Sequence, residues 1–179
     1  MRRFAVALAF VIALAAVTAG SGASRTSKSA FEVFVGPTTS AASNGVTLET
    51  ELKGEFNVAD KTARGSGSYS VKDGATAVDS GTFTLTRLVA FQFYGCGEVT
   101  MEGVRIPLEA DFCGGRALFA FHAVSSTGEQ TDGLYEVNCQ IHDPGGQAPP
   151  GTSEGIKANA RGLNFNKHGP GDNIFVMLP

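Results

Sequence analysis

The chain has 179 residues, 23 of them glycine, with no tryptophan, 17% charged residues and a formal charge of −3. It holds no Lys/Arg cluster, which excludes phosphate-driven binding to nucleic acid and argues against docking on anionic membrane surfaces. Abundant glycine with few charges suits short strands and tight turns rather than long solvated helices.

Met1-Arg2-Arg3 leads into an apolar run from Phe4 to Val17 and then into small residues through Ala23. That is the layout of a secretory signal peptide. The run of about 14 residues is shorter than the roughly 20 that span a bilayer as a helix. Residues 1–23 are therefore predicted to be cleaved near Ala23, giving a secreted or periplasmic protein with no membrane span in its mature form. Loss of Arg2 and Arg3 leaves 12 basic residues against 17 acidic, a mature charge of −5. Residues 24–30 are small and polar and read as a flexible leader. Residues 31–179 suffice for one domain whose core needs no metal or dense disulfide net.

From Val46 to Val58 the even positions read Val46, Leu48, Thr50, Leu52, Gly54, Phe56 and Val58, and Glu49, Glu51, Lys53 and Glu55 take odd ones, the period of a strand with one buried face. Ser66–Val71 repeats the pattern and meets an Asp73-Gly74 turn suited to a hairpin. Thr82–Tyr94 carries Phe83, Leu85, Val89, Phe91 and Phe93 on one parity and reads as a central strand. Val104–Leu108 contains Pro107, which cannot donate to a ladder, and is placed at an edge. Arg116–Val124 and Leu134–His142 alternate cleanly. A Pro/Gly-rich loop, Asp143 to Gly155, precedes weaker strands at Ile156–Leu163 and Asn173–Leu178. The expectation is one antiparallel all-β domain of about eight or nine short strands, a sandwich or a meander barrel.

Three cysteines permit one internal disulfide. Cys96 and Cys113 flank loops beside glycines and are predicted to pair, whereas Cys139 shares the apolar parity of Val137 and Ile141 and reads as a buried thiol. Cys139 and His142 lie three apart on a strand, on opposite faces, so no metal site is expected. No cofactor motif is read, and serine-hydrolase and nucleotide chemistry are not expected.

Arg87 breaks the pattern by falling on the core parity between Leu85 and Val89, where a lone guanidinium cannot be buried. Two explanations compete: a bulge or rim position, and a barrel cavity in which Arg87 meets an anionic ligand, with Tyr69 and Tyr135 as wall residues and His122 available for proton transfer. The leading functional expectation is a non-enzymatic exported binding or surface-associated module acting on an extracellular or periplasmic partner or small ligand through its loops, 143–155 and 167–172. The alternative is a ligand-binding or enzymatic barrel with its cavity around Arg87.

Overall fold

The computed structural model describes residues 29–169 and 171–179. The predicted signal peptide and leader residues 24–28 lie outside them, and Ala30, the last predicted leader residue, already opens the first strand. The regular elements among the described residues are all strands: β1 (Ala30–Ala42), β2 (Thr47–Asn57), β3 (Thr62–Asp73), β4 (Thr76–Cys96), β5 (Glu98–Met101), β6 (Val104–Pro107), β7 (Phe112–Ser125), β8 (Gln130–Cys139), β9 (Gly155–Ala160), β10 (Leu163–His168) and β11 (Asn173–Met177). The described residues are thus all-β, with one large antiparallel sheet. No helix among the described residues is long and apolar enough to cross a membrane.

Eleven strands form among the described residues where eight or nine are expected. In β1 a register shift between Val35 and Thr38 follows the buried Phe31, Val33 and Val35, and the small polar Thr38 and Ser40 then occupy buried positions, disguising the alternation. Ile156–Leu163 is not one strand but parts of β9 and β10, joined at Arg161-Gly162. Asp73 pairs with Thr76, so the two-residue hairpin loop is Gly74-Ala75 rather than Asp73-Gly74. Gly74, at φ 58°, then fills the first central position, where glycine is preferred. The proline-bearing β6 pairs with β5 alone, in a separate two-stranded sheet.

The large sheet runs β10-β9-β8-β7-β11-β1-β2-β3-β4, with two further pairings, β10 with β1 and β4 with β7. The β4–β7 ladder reaches from Gly81↔Ser125 to Cys96↔Cys113, skipping the β5–β6 hairpin. Cys96 and Cys113, partners in that register, are joined by a disulfide that brackets the excursion. Such a bond belongs to a non-reducing environment.

The buried face is filled unevenly. At one end Phe31, Phe56, Phe91, Phe119 and Phe175 pack with ring centroids 5.0 to 5.7 Å apart, mostly tilted or edge to face, as the ring quadrupole favours. Val33, Leu52, Val137 and Ile156 continue this core. Toward the other end two glycines face inward opposite phenylalanines, Gly67↔Phe83 and Gly133↔Phe121. A Cβ on Gly67 would lie 2.1 Å from the Glu51 carbonyl and 2.6 Å from the Phe83 ring; on Gly133 it would lie 2.4 Å from the Asn159 carbonyl and 2.6 Å from the Phe121 ring. Both rings therefore lie down on bare backbone of the next strand instead of reaching across the interior, and space remains beside them.

Candidate functional site

That space is a cavity of about 260 Å³. Alternation builds its wall, because successive inward residues of each strand step from depth to rim: Thr50 then Leu48 on β2, Phe121 then Ala123 on β7, Ala158 then Ala160 on β9. Apart from one polar pair and a polar rim, the lining is hydrocarbon and aromatic.

The inner pair is Thr50 and Tyr135, 3% and 2% exposed. Their hydroxyl oxygens lie 2.6 Å apart in a hydrogen bond that either can donate. Burial pushes the Tyr135 phenol above its ordinary range, against a smaller lowering by the Thr50 bond, so the ring stays protonated at neutral pH. The pair shares one hydrogen bond between two hydroxyls, and neither has a second partner among the described residues. One O–H is left to donate.

The rim is charged and mutually satisfied. Tyr69 Oη donates to Asp79 Oδ2 (3.3 Å), and burial, then the Asp79 charge, raises the Tyr69 pKa. Arg161 places Nη1 2.9 Å from Glu129 Oε2 and 3.8 Å from Asp79 Oδ2, and its Nε donates to Thr131 Oγ1. Arg161 and Gly162, at φ 50° and 75°, are the two central residues of the β9–β10 hairpin. Positive φ at both positions marks a type I′ turn, which costs a side chain such as arginine some strain. The turn puts the guanidinium over the mouth of the cavity.

Tyr69 and Tyr135 thus line a common cavity, as the barrel alternative expects of them, but the two other residues named with them do not. Arg87 is exposed and lines none of this wall. The β4–β7 register slips between Leu85 and Arg87, so Thr86 is an inserted residue and the parity flips, turning Arg87 outward and Leu88 inward. The register slip fits the bulge explanation of Arg87, and Arg87 lines no part of the cavity described above. His122 lies on the outer face of β7, Nδ1 2.8 Å from Oδ1 of its cross-strand partner Asp132. Thr50, Asp79, Thr131 and Arg161 are the site residues that periodicity passes over. A threonine between Leu48 and Leu52 on a core parity, and an Arg-Gly pair between alternating segments, are the signals that mark two of them.

Other polar clusters serve the framework. Cys139 is buried and free, with burial raising its pKa, and its Sγ donates to the Cys113 carbonyl (3.7 Å). His142, also buried, instead sets Nε2 3.1 Å from Thr100 Oγ1 and Nδ1 2.9 Å from the Asp143 carbonyl. The expected strand to His142 stops short, since β8 ends at Cys139 and His142 forms an isolated bridge with Glu98 beyond it, and the two residues face different partners. Glu154 accepts the backbone N–H groups of Gln140 (2.8 Å) and Asn173 (3.1 Å), pinning the end of the 143–155 loop to β8 and β11. Gly151-Thr152-Ser153-Glu154-Gly155 has the spacing of a hydrolase nucleophile elbow, which the sequence reading overlooks, and Ser153 Oγ contacts His168 Nδ1. The segment runs from loop into strand, however, not from strand through a turn into a helix. Nε2 of His168 has no partner among the described residues to orient the ring for proton transfer.

No family model, curated protein or solved structure matches the chain.

Proposed function

We propose that the mature chain is an exported protein that binds a small apolar molecule inside a closed eight-stranded barrel. β1 to β4 and β7 to β10 each pair with the next, and the β4–β7 and β10–β1 ladders supply the two pairings that complete a meander ring. An interior of eight strands is wide enough to be filled by side chains or to hold one small ligand. Here the aromatic end is filled and the other end is open. Export is supported by the arrangement of residues 1–23 and by the Cys96–Cys113 disulfide.

The cavity of about 260 Å³, apolar over most of its wall, is the observation that carries this reading. The residues around it favour holding a molecule over converting one, since the ionisable members of its rim, Tyr69, Asp79 and Arg161, are engaged with one another or with neighbours, and the Tyr135 phenol at the inner end is held protonated by burial. The 143–155 loop contributes no wall residue, which moves the binding role from the loops to the interior.

Titration of the mature chain with aminonaphthalene, an uncharged environment-sensitive fluorophore close to naphthalene in size, alongside native mass spectrometry, tests this. The expected result is a blue-shifted, saturable signal with one dye per chain, abolished by Ala158→Phe in a variant that still melts cooperatively. Absence of binding, or binding that survives in a folded Ala158→Phe variant, would overturn it.

A further inference from the structure

The cavity's chemistry narrows the ligand class, in an inference that rests on the binding function above. A cavity of about 150 Å³ holds benzene, so by proportion about 260 Å³ takes roughly ten heavy atoms. Most of the wall is hydrocarbon, so most of the ligand is too. The inner end is different, because the Thr50–Tyr135 pair retains an unused O–H and free lone pairs at a site closed to solvent. A ligand that covers this pair with hydrocarbon alone leaves the spare donor desolvated and unpaired. A single oxygen on the ligand satisfies it.

Charge is excluded on the same ground. An ion seated at the inner end would leave water for a wall that presents only two neutral hydroxyls there, and no opposite charge. The one cation on the lining, Arg161, is engaged by Asp79 and Glu129, so the mouth as a whole is negative and disfavours an entering anion. Nor does the rim compete for the ligand's oxygen. Tyr69, Asp79, Thr131 and Arg161 are bonded to one another or to Glu129 and lie near water, where a further hydrogen bond adds little.

We infer that the cavity receives an uncharged, mainly hydrocarbon molecule of about ten heavy atoms carrying one hydroxyl or carbonyl oxygen, seated oxygen-first on the Thr50–Tyr135 pair.

Calorimetric titration of the mature chain with naphthalene, naphthol and naphthoate separates the possibilities. Naphthol is expected to bind about tenfold tighter than naphthalene, the worth of one well-placed hydrogen bond, and naphthoate at least about tenfold weaker than naphthol. In the Thr50→Val/Tyr135→Phe double variant, which keeps the cavity's shape, the preference for naphthol over naphthalene should vanish while naphthalene affinity stays the same or rises. The rim variant Asp79→Asn should keep that preference. If naphthalene binds but naphthol gains nothing, if naphthoate is preferred, or if the double variant retains the preference, the inward-oxygen assignment fails and the apolar cavity stands. If none of the three binds, the binding function fails with it. A double variant that does not melt cooperatively is replaced by Tyr135→Phe alone, for which a reduced naphthol preference is expected and an unchanged one refutes the assignment.

Discussion

Glu154 gives the chain a stability that falls as pH rises. Its carboxyl is raised from an ordinary 4.5 to about 7, because burial outweighs the two backbone N–H groups that favour the charged form. The folded state then holds a proton that the unfolded state releases between those two values. Stability contributed by this group is fully present below pH 4.5 and is lost as pH rises toward about 7. At about 1.4 kcal/mol per pH unit, the interval corresponds to about 3 kcal/mol, a large part of a typical domain's margin. His168, whose pKa is lowered by burial and then by Lys157, acts in the opposite direction, its native state gaining stability as pH rises to its ordinary 6.5. The two overlap, so the comparison has to be with Glu154→Gln, which removes one titration and leaves the other. Urea unfolding of both proteins from pH 4.5 to pH 8 should show the wild type losing about 3 kcal/mol relative to the variant across that range. Parallel profiles would mean that the two N–H groups hold the carboxylate ionised and that burial does not dominate.

Gly133→Ala should destabilise by about 2 kcal/mol or more, a fall of at least about 4 °C in Tm. Its Cβ would meet the Asn159 carbonyl as well as the Phe121 ring, so shortening Phe121 to Leu should not restore the loss in a thermal melt. Replacing both Cys96 and Cys113 by Ser should cost about 3 kcal/mol in denaturant unfolding, for a sequence separation of 17. Cys139, buried and held protonated by that burial, should take up iodoacetamide only after unfolding; rapid labelling of the native chain would contradict its placement.

Most of the strands are legible because a sheet with one buried face writes a period of two into the sequence; β2 carries it unbroken, and β7 and β8 carry it over most of their length. Legibility fails where that parity slips. In β4 the inward residues run Phe83, Leu85, Leu88 and Phe91, since register shifts after Leu85 and after Leu88 each interrupt the alternation. Arg87 looks buried for that reason alone. β1 is hidden by small polar residues on its inner face, and the β1–β10 pairing joins residues more than a hundred positions apart, beyond any local pattern. Tyr69 and Tyr135 are recoverable because a hydroxyl on a core parity demands a partner. Arg161 is marked only as a turn residue by its Arg-Gly pair, because its place over the cavity comes from a turn conformation rather than from a strand face.

The unequal filling of the interior bears on what the open end is for. Core volume left without side chains forgoes packing contacts, so the chain leaves packing unrealised at this end. The residues that keep the space open are the ones a well-filled core would replace: Gly67 and Gly133, which let two rings lie flat, and Ala123, Ala158 and Ala160, which leave the wall recessed. The phenylalanine cluster and the Cys96–Cys113 bond lie together in the structure, since Phe175 pairs directly with Cys113 and packs on Phe56 and Phe91. Stability is thereby concentrated away from the cavity, and the open end is free to be shaped by something other than packing. A ligand that fills it recovers part of the forgone energy as affinity. On this view, loss of binding in Ala158→Phe reports on that same volume.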